Sequence, residues 1–221
     1  MGMTTIFFDL DGTLTDPGLG ITNSILYALE QMGRPIPPRE RLYPWIGPPL
    51  QESFQAYAEM TEEEARQAVS WFRVYFDRQG KFENVVYPGI SKLLATLQWQ
   101  GIRLAVATSK PEQFALEILA HFDLAPYFTG VFGSAMDGNR SRKGEVLAYA
   151  LESLRIRPEE ALMVGDREHD VQGARENGMT CVGVLYGYGD RVELESAGSV
   201  HLAETVEELE EVLLQIKEEM G

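Results

Sequence analysis

The chain has 221 residues, enough for one large domain or two small ones, and its 44% hydrophobic and 10% aromatic content is that of a globular protein with a sizeable core. Its formal charge of −15 argues against nucleic acid polymers and anionic membrane surfaces as partners, so any anion-binding site must gather its cations locally. The one cysteine, Cys181, excludes an intramolecular disulfide, and Thr-Cys-Val-Gly-Val around it reads as core packing in a reducing compartment.

In chain order, the first element is an apolar run, Ile6-Phe7-Phe8, of the length of a buried strand. It ends in Asp9-Leu10-Asp11-Gly12-Thr13-Leu14-Thr15. Alternate strand residues share a face, so Asp9 and Asp11 are placed to look into one pocket at the strand's carboxyl end. Two carboxylates so close repel each other and resist desolvation, which a cation between them or a shared proton relieves. Gly12 permits a sharp turn and brings backbone N–H groups close to an anion.

Beyond Asp16-Pro17-Gly18 the pattern becomes helical through Ile21, Ile25, Ala28, Leu29 and Met32, stopped by Gly33 and Pro35. Trp45-Ile46-Gly47-Pro48-Pro49-Leu50 forbids regular helix, a second helix is expected from about Gln51 to Glu59, and Thr61-Glu62-Glu63-Glu64 reads as a capping box opening a third. Pro88-Gly89 ends this helical stretch. The chain then alternates: a helix from Ile90 to Leu97, a strand Leu104–Ala107 ending at Thr108-Ser109-Lys110, a helix opened by Pro111, and a strand Gly130–Gly133. A helix over Lys143–Leu154, a strand Ala161–Val164 ending at Gly165-Asp166, a helix Asp170–Asn177, a fifth strand Cys181–Val184 and an acidic last helix after Thr205 complete the pattern. The fold class is α/β, a Rossmann-like parallel sheet covered on both faces, with a small all-helical insertion after the first strand. Ligands of such sheets bind beyond the carboxyl ends of the strands.

Those ends deliver Asp9, Asp11, Thr108, Ser109, Asp166 and, after a turn, Asp170. Carboxylates with carbonyl and water oxygens suit Mg²⁺. A hydroxyl at a helix amino terminus, such as Thr108 before Pro111, is a ready phosphate contact. Lys143, opening its helix, is the expected cation, with Lys110 the alternative.

Asp-Leu-Asp-Gly-Thr-Leu near the amino terminus, Thr108 in Val-Ala-Thr-Ser-Lys-Pro, Lys143, and Gly165-Asp166-Arg167-Glu168-His169-Asp170, in that order, resemble the four motifs of the haloacid dehalogenase superfamily of phosphohydrolases. The resemblance implies a central first strand flanked by the strands carrying Thr108 and Asp166. It implies Asp9 as nucleophile forming an aspartyl-phosphate, Asp11 as general acid and base, and Thr108 and Lys143 as catalytic contacts of the phosphoryl oxygens, with Gly12 and Ser109 also touching substrate. Mg²⁺ is implied on Asp9, the Asp11 carbonyl, Asp166 and Asp170, the last directly or through water. Residues 1–15 and 87–221 then form the core domain and residues 16–86 a helical cap.

The implied activity is hydrolysis of small phosphate monoesters by a soluble cytoplasmic monomer or homodimer. Members similar in cap and fourth motif include phosphoglycolate phosphatases and bacterial 5′-nucleotidases. A β-phosphoglucomutase-like phosphotransferase is a further alternative, whereas phosphonatase chemistry needs a cap lysine, and Lys81 lies near the end of the insertion. Many relatives carry Ser where this chain has Arg167, which is left to contact substrate or cap, or to pair with Glu168 or Asp170. Tyr43 and Trp45 either stack on a base or pack, and His169 is expected as an exposed loop residue.

Overall fold

A computed structural model describes residues 5–220. In chain order, β1 (Thr5–Phe8) leads through β2 (Thr15–Asp16) into helices α1 (Gly18–Gln31), α2 (Leu50–Ala58) and α3 (Glu62–Arg78), and β3 (Val85–Val86) returns the chain. Then α4 (Ile90–Trp99), β4 (Arg103–Pro111), α5 (Glu112–His121), β5 (Val131–Ser134), α6 (Lys143–Leu154), β6 (Ala161–Gly165), α7 (Glu168–Glu176) and β7 (Thr180–Val184) alternate. The chain closes with α8 (Arg191–Ala197), β8 (His201–Ala203) and α9 (Val206–Met220).

Among the described residues, six strands form one parallel sheet in the order β5-β4-β1-β6-β7-β8. Every residue of β1 is buried, as a central strand covered on both faces requires. Its alternation sorts the core into two layers. Ile6 and Phe8 join an apolar cluster with Leu93 of α4, Ile118 of α5 and Leu213 of α9. Phe7 joins the other, with Leu147 of α6, Val171 of α7 and Leu194 of α8. Burying such side chains contributes about 1.5–3 kcal/mol each before the entropy of ordering is subtracted. Among the described residues no helix is long and apolar enough to cross a membrane.

β2 and β3 pair antiparallel where the chain leaves and re-enters the sheet region. Between them α1 packs on α3, with Tyr27 against Trp71 and Tyr75. The expected capping box is present: the Thr61 hydroxyl accepts from the Glu64 N–H, and the Glu64 carboxylate accepts from the Thr61 N–H.

Three features differ from the sequence pattern. β8, α8 and the short β2–β3 pair have no counterpart in it. β4 runs on through Thr108 to Pro111, because Pro111, with ψ 128°, stays extended and stands before the helix rather than in its first turn. α7 begins at Glu168, so His169 is a partly buried helical residue rather than an exposed loop residue.

Candidate active site

The sheet register assembles the site. Phe8 pairs with Val106 on one side and Val164 on the other, so the residues after each, with Asp9, Thr108 and Asp166 among them, emerge at one edge. α6 and α7 then bring up Lys143 and Asp170. Gly173 lets these helices meet: a Cβ there would lie 2.9 Å from both Cβ and Cγ of Lys143.

At the floor, Lys143 Nζ lies 2.8 Å from Asp9 Oδ1 and 2.7 Å from Asp170 Oδ1, and donates to the Ala107 carbonyl at 2.9 Å. Burial works against its charge, but Asp170 and Asp9 outweigh that and raise its pKa. Asp9, Asp166 and Asp170 offer carboxylate oxygens within 4.8 Å of one another, all three buried. Burial raises the Asp166 carboxyl well above its usual range, with the neighbouring charges of Asp170 and Asp9 adding to it. Burial also raises Asp170, against the pull of Lys143. Asp11 stands apart from this trio: its Oδ2 is 2.8 Å from Lys110 Nζ, which lies over the Phe76 ring of α3. Burial raises its carboxyl although Lys110 opposes the shift. Four carboxylates against two ammonium groups leave a formal excess of negative charge at the floor. The carboxylates of Asp9, Asp166 and Asp170 are hard oxygen donors at mutual spacings that one cation can bridge, so the site fits a hard divalent ion such as Mg²⁺.

The loop after β7, which no sequence motif marks, completes the surroundings of Asp166. The Asp166 carboxylate accepts from the Tyr188 N–H at 2.8 Å and the Thr13 hydroxyl at 3.3 Å. A Cβ on Gly187 would lie 2.3 Å from the Gly12 carbonyl oxygen and 2.5 Å from Asp166 Cβ. Gly12, at φ 84°, is pressed just as closely, since a Cβ there would fall 2.1 Å from Asp166 Oδ2. Its N–H donates to the Thr15 carbonyl at 2.8 Å, so the amide expected to touch substrate is committed within its own turn. Gly12→Ala should therefore cost about 2 kcal/mol in backbone strain alone and lower Tm by roughly 4–8 °C. A thermal melt checks this, and an unchanged Tm would refute it.

Above the floor lies a cavity of about 400 Å³. Asp9, Asp11, Thr108, Ser109 and Lys110 line its sheet side, and Trp45, Phe72, Arg73 and Phe76 its helical side. Trp45 is buried against Phe54 and Tyr57, so it packs as well as lining the wall. Tyr43 is half exposed and faces Tyr188. Arg167 resolves as a link between layers: Nε donates to Glu193 at 2.7 Å, and Nη1 donates to the Ile46 carbonyl of the Gly47-Pro48-Pro49 loop.

The family model for haloacid dehalogenase-like hydrolases matches residues 6–184. The chain belongs to this family. The 5′-nucleotidase of Pseudomonas aeruginosa is 43% identical to this hydrolase over 208 residues, covering 94% of each chain. The tyrosine-protein kinase PtkA of Mycobacterium tuberculosis is 42% identical over 210 residues, 94% of this hydrolase and 72% of that protein. A phosphoglycolate phosphatase of Shigella dysenteriae is more distant, at 28% identity over 225 residues, 89% of this hydrolase and 87% of that protein. Among solved structures, a predicted phosphatase from Clostridium acetobutylicum matches with a TM-score of 0.95 at 44% identity, over 97% of this hydrolase and all (100%) of that chain.

Within the hydrolase, the sequence-expected residues Asp9, Lys143, Asp166 and Asp170 converge. Asp11, Thr108 and Ser109 line the cavity above them. Thr108 is buried on the extended β4, three residues before Pro111, rather than at a helix terminus, and its hydroxyl accepts from the Lys110 N–H at 3.3 Å. Lys81 is paired with Asp77 and Glu117 and is not among the residues lining the cavity. Sequence reasoning places Thr13 only in the turn with Gly12 and misses its contact with Asp166, and it misses Tyr188 and Arg73. Thr13 and Tyr188 have a usable signal: Gly-Thr comes after the acidic pair, and Tyr186-Gly187-Tyr188-Gly189-Asp190 comes after a buried strand at the ligand-binding edge.

Proposed function

We propose that this hydrolase is a phosphatase that removes the phosphoryl group from small phosphate monoesters through a covalent aspartyl-phosphate on Asp9, with nucleoside monophosphates its favoured class. The convergence of Asp9, Asp166 and Asp170 around Lys143, at the foot of a cavity also reached by Asp11 and Thr108, carries the proposal. Phosphoryl transfer needs in-line positioning and neutralisation of charge more than elaborate chemistry.

The Lys143 ion pair holds Asp9 through Oδ1 and leaves its second oxygen to attack phosphorus. As the phosphorus–oxygen ester bond breaks, Asp11 gives its proton to the leaving oxygen. The raised carboxyl pKa of Asp11 equips it for this. Asp11 then takes a proton from water as that water attacks the aspartyl-phosphate, which releases inorganic phosphate and restores Asp9. Thr108 and Lys143 hold the transferring oxygens, Ser109 lines their approach, and Tyr188 and Thr13 fix Asp166. Mg²⁺ on Asp9, Asp166, Asp170 and the Asp11 carbonyl would neutralise phosphoryl charge. Residues 16–86 act as a cap that excludes water over a core of residues 1–15 and 87–221.

The cavity favours nucleotides over phosphoglycolate. Ligand pockets bury most of their ligand's surface. A two-carbon acid would leave most of about 400 Å³ empty, and the walls contributed by Trp45, Phe72, Phe76 and Phe114 suit a base. The 43% identity to the Pseudomonas aeruginosa 5′-nucleotidase supports the same reading.

The test is phosphate release from nucleoside monophosphates, phosphoglycolate and sugar phosphates, with Mg²⁺ or with EDTA. Release in Mg²⁺, led by nucleotides, is expected, with a loss of at least about 100-fold in EDTA. Mg²⁺ at about 100 times its Kd should also raise Tm by roughly 5–10 °C, because it binds only the folded carboxylates. Equal turnover and equal Tm in EDTA would overturn the metal assignment. A preference for phosphoglycolate would overturn the nucleotide reading.

A further inference from the structure

Two cationic side chains line the cavity, and they differ in what they hold. Lys110 is committed to Asp11 at 2.8 Å. Arg73 of α3 has no carboxylate within ion-pair reach among the described residues. Its hydrogen bond is from Nη1 to the Met136 carbonyl at 2.9 Å, in the loop after β5. A guanidinium carries five N–H donors in one plane, so most of the fork is left for a ligand. Partial burial lowers its pKa, with no neighbouring anion to offset the shift. An arginine that lines a cavity with no ion pair of its own among the described residues calls for a function.

Arg73 lines the helical side of the cavity, opposite the sheet side that carries Asp9 and Thr108. Arg73 stands one turn before Phe76 on α3, and it is the Phe76 ring that covers Lys110 beside Asp11. Gln51, Glu52 and Gln55 of α2 line the same cavity. A second anionic group on the substrate would meet the Glu52 carboxylate as well as the arginine, whereas a neutral acceptor meets only the benefit of the donors. The geometry points to Arg73 as the specificity-determining residue of the cap, selecting nucleoside monophosphates whose base presents a keto edge. Guanine and hypoxanthine offer O6 and N7 as paired acceptors, and uracil offers O4. Adenine and cytosine present an amino donor where the guanidinium also donates. This inference rests on the nucleotide reading above and adds to it which bases are taken.

The experiment measures kcat/KM on guanosine and inosine against adenosine monophosphate, on uridine against cytidine monophosphate, and on ribose 5-phosphate, for the wild type, Arg73→Ala and Arg73→Lys. The wild type should favour the keto member of each pair by about 10- to 100-fold. Arg73→Ala should bring each ratio close to one, mainly through KM. Arg73→Lys, which keeps the charge and loses the fork, should fall between. Ratios within one preparation cancel any loss of folded protein.

If Arg73→Ala lowers every nucleotide equally while the wild-type preference survives, Arg73 is only a clasp on Met136. The inference then falls while the nucleotide reading stands. A wild type that prefers nucleotides without distinguishing keto from amino bases also sinks it. Ribose 5-phosphate turned over as well as any nucleotide by the wild type removes the nucleotide reading and this inference with it.

Discussion

Asp9→Asn should lower kcat for phosphate release by at least about 10⁴-fold while leaving Tm unchanged or slightly raised. Asparagine keeps the shape of the side chain, and its amide oxygen cannot form a stable bond to phosphorus. Folding should tolerate the change because Lys143 retains Asp170 at 2.7 Å, and one negative charge leaves a buried cluster with an excess of them. Asp11→Asn separates the two aspartates. It should cost about 10²- to 10⁴-fold on alkyl esters, whose leaving oxygen needs a proton. In kcat/KM, which reports the first step and not the later water attack that Asp11 also assists, the loss should be much smaller on an aryl ester that departs unprotonated. Steady-state kinetics on both ester types, with a melt on each variant, check this. Asp9→Asn activity within tenfold of wild type would remove the nucleophile assignment, and equal Asp11→Asn losses in kcat/KM on both esters would remove the acid.

The parts of this site legible in the sequence are those fixed by local pattern. Ile6-Phe7-Phe8 announces a doubly covered strand, and the residues after such a strand in a parallel sheet stand at the ligand-binding edge. That pattern places Asp9 and Asp166, and the helix that Lys143 opens places the lysine. The hidden parts depend on contacts distant in sequence. Arg167 has Glu168 and Asp170 close by in the chain, but its guanidinium pairs with Glu193 and the Ile46 carbonyl, which only the packing of α8 and of the Gly47 loop brings near. β8 is three residues long with a histidine at its start, too short for any period to register. Pro111 suits a first helical turn by the general tolerance for proline there, while pairing with Ser134 keeps it in β4. Arg73 lies in an amphipathic helix whose periodicity marks Phe72 and Phe76, and nothing local says that an arginine between them faces a cavity.

Lys143→Met should strongly destabilise this hydrolase when no divalent cation is present. Lys143 is buried, and its ammonium reaches Asp9, Asp170 and the Ala107 carbonyl. Methionine fills a similar volume, so the packing against Gly173 survives. The loss is one of charge: Asp9, Asp166 and Asp170 are left within 4.8 Å of one another without a cation between them. Breaking a buried ion pair by removing one partner costs about 3–5 kcal/mol, so Tm in EDTA should fall by roughly 6–20 °C. Part of the cost is avoided by protonation, because Asp166 and Asp170 already sit above their usual carboxyl range. Mg²⁺ should then stabilise the variant by more than it stabilises the wild type, since the ion supplies the charge the lysine no longer does. Activity should not return with the stability, because the ammonium proposed to hold the phosphoryl oxygens is still missing. Melts of both proteins in EDTA and in Mg²⁺, beside phosphate release, separate the two roles. A variant as stable as wild type in EDTA would show that the ammonium is not what neutralises the carboxylates, and full activity in Mg²⁺ would show that it takes no part in holding the transferring group.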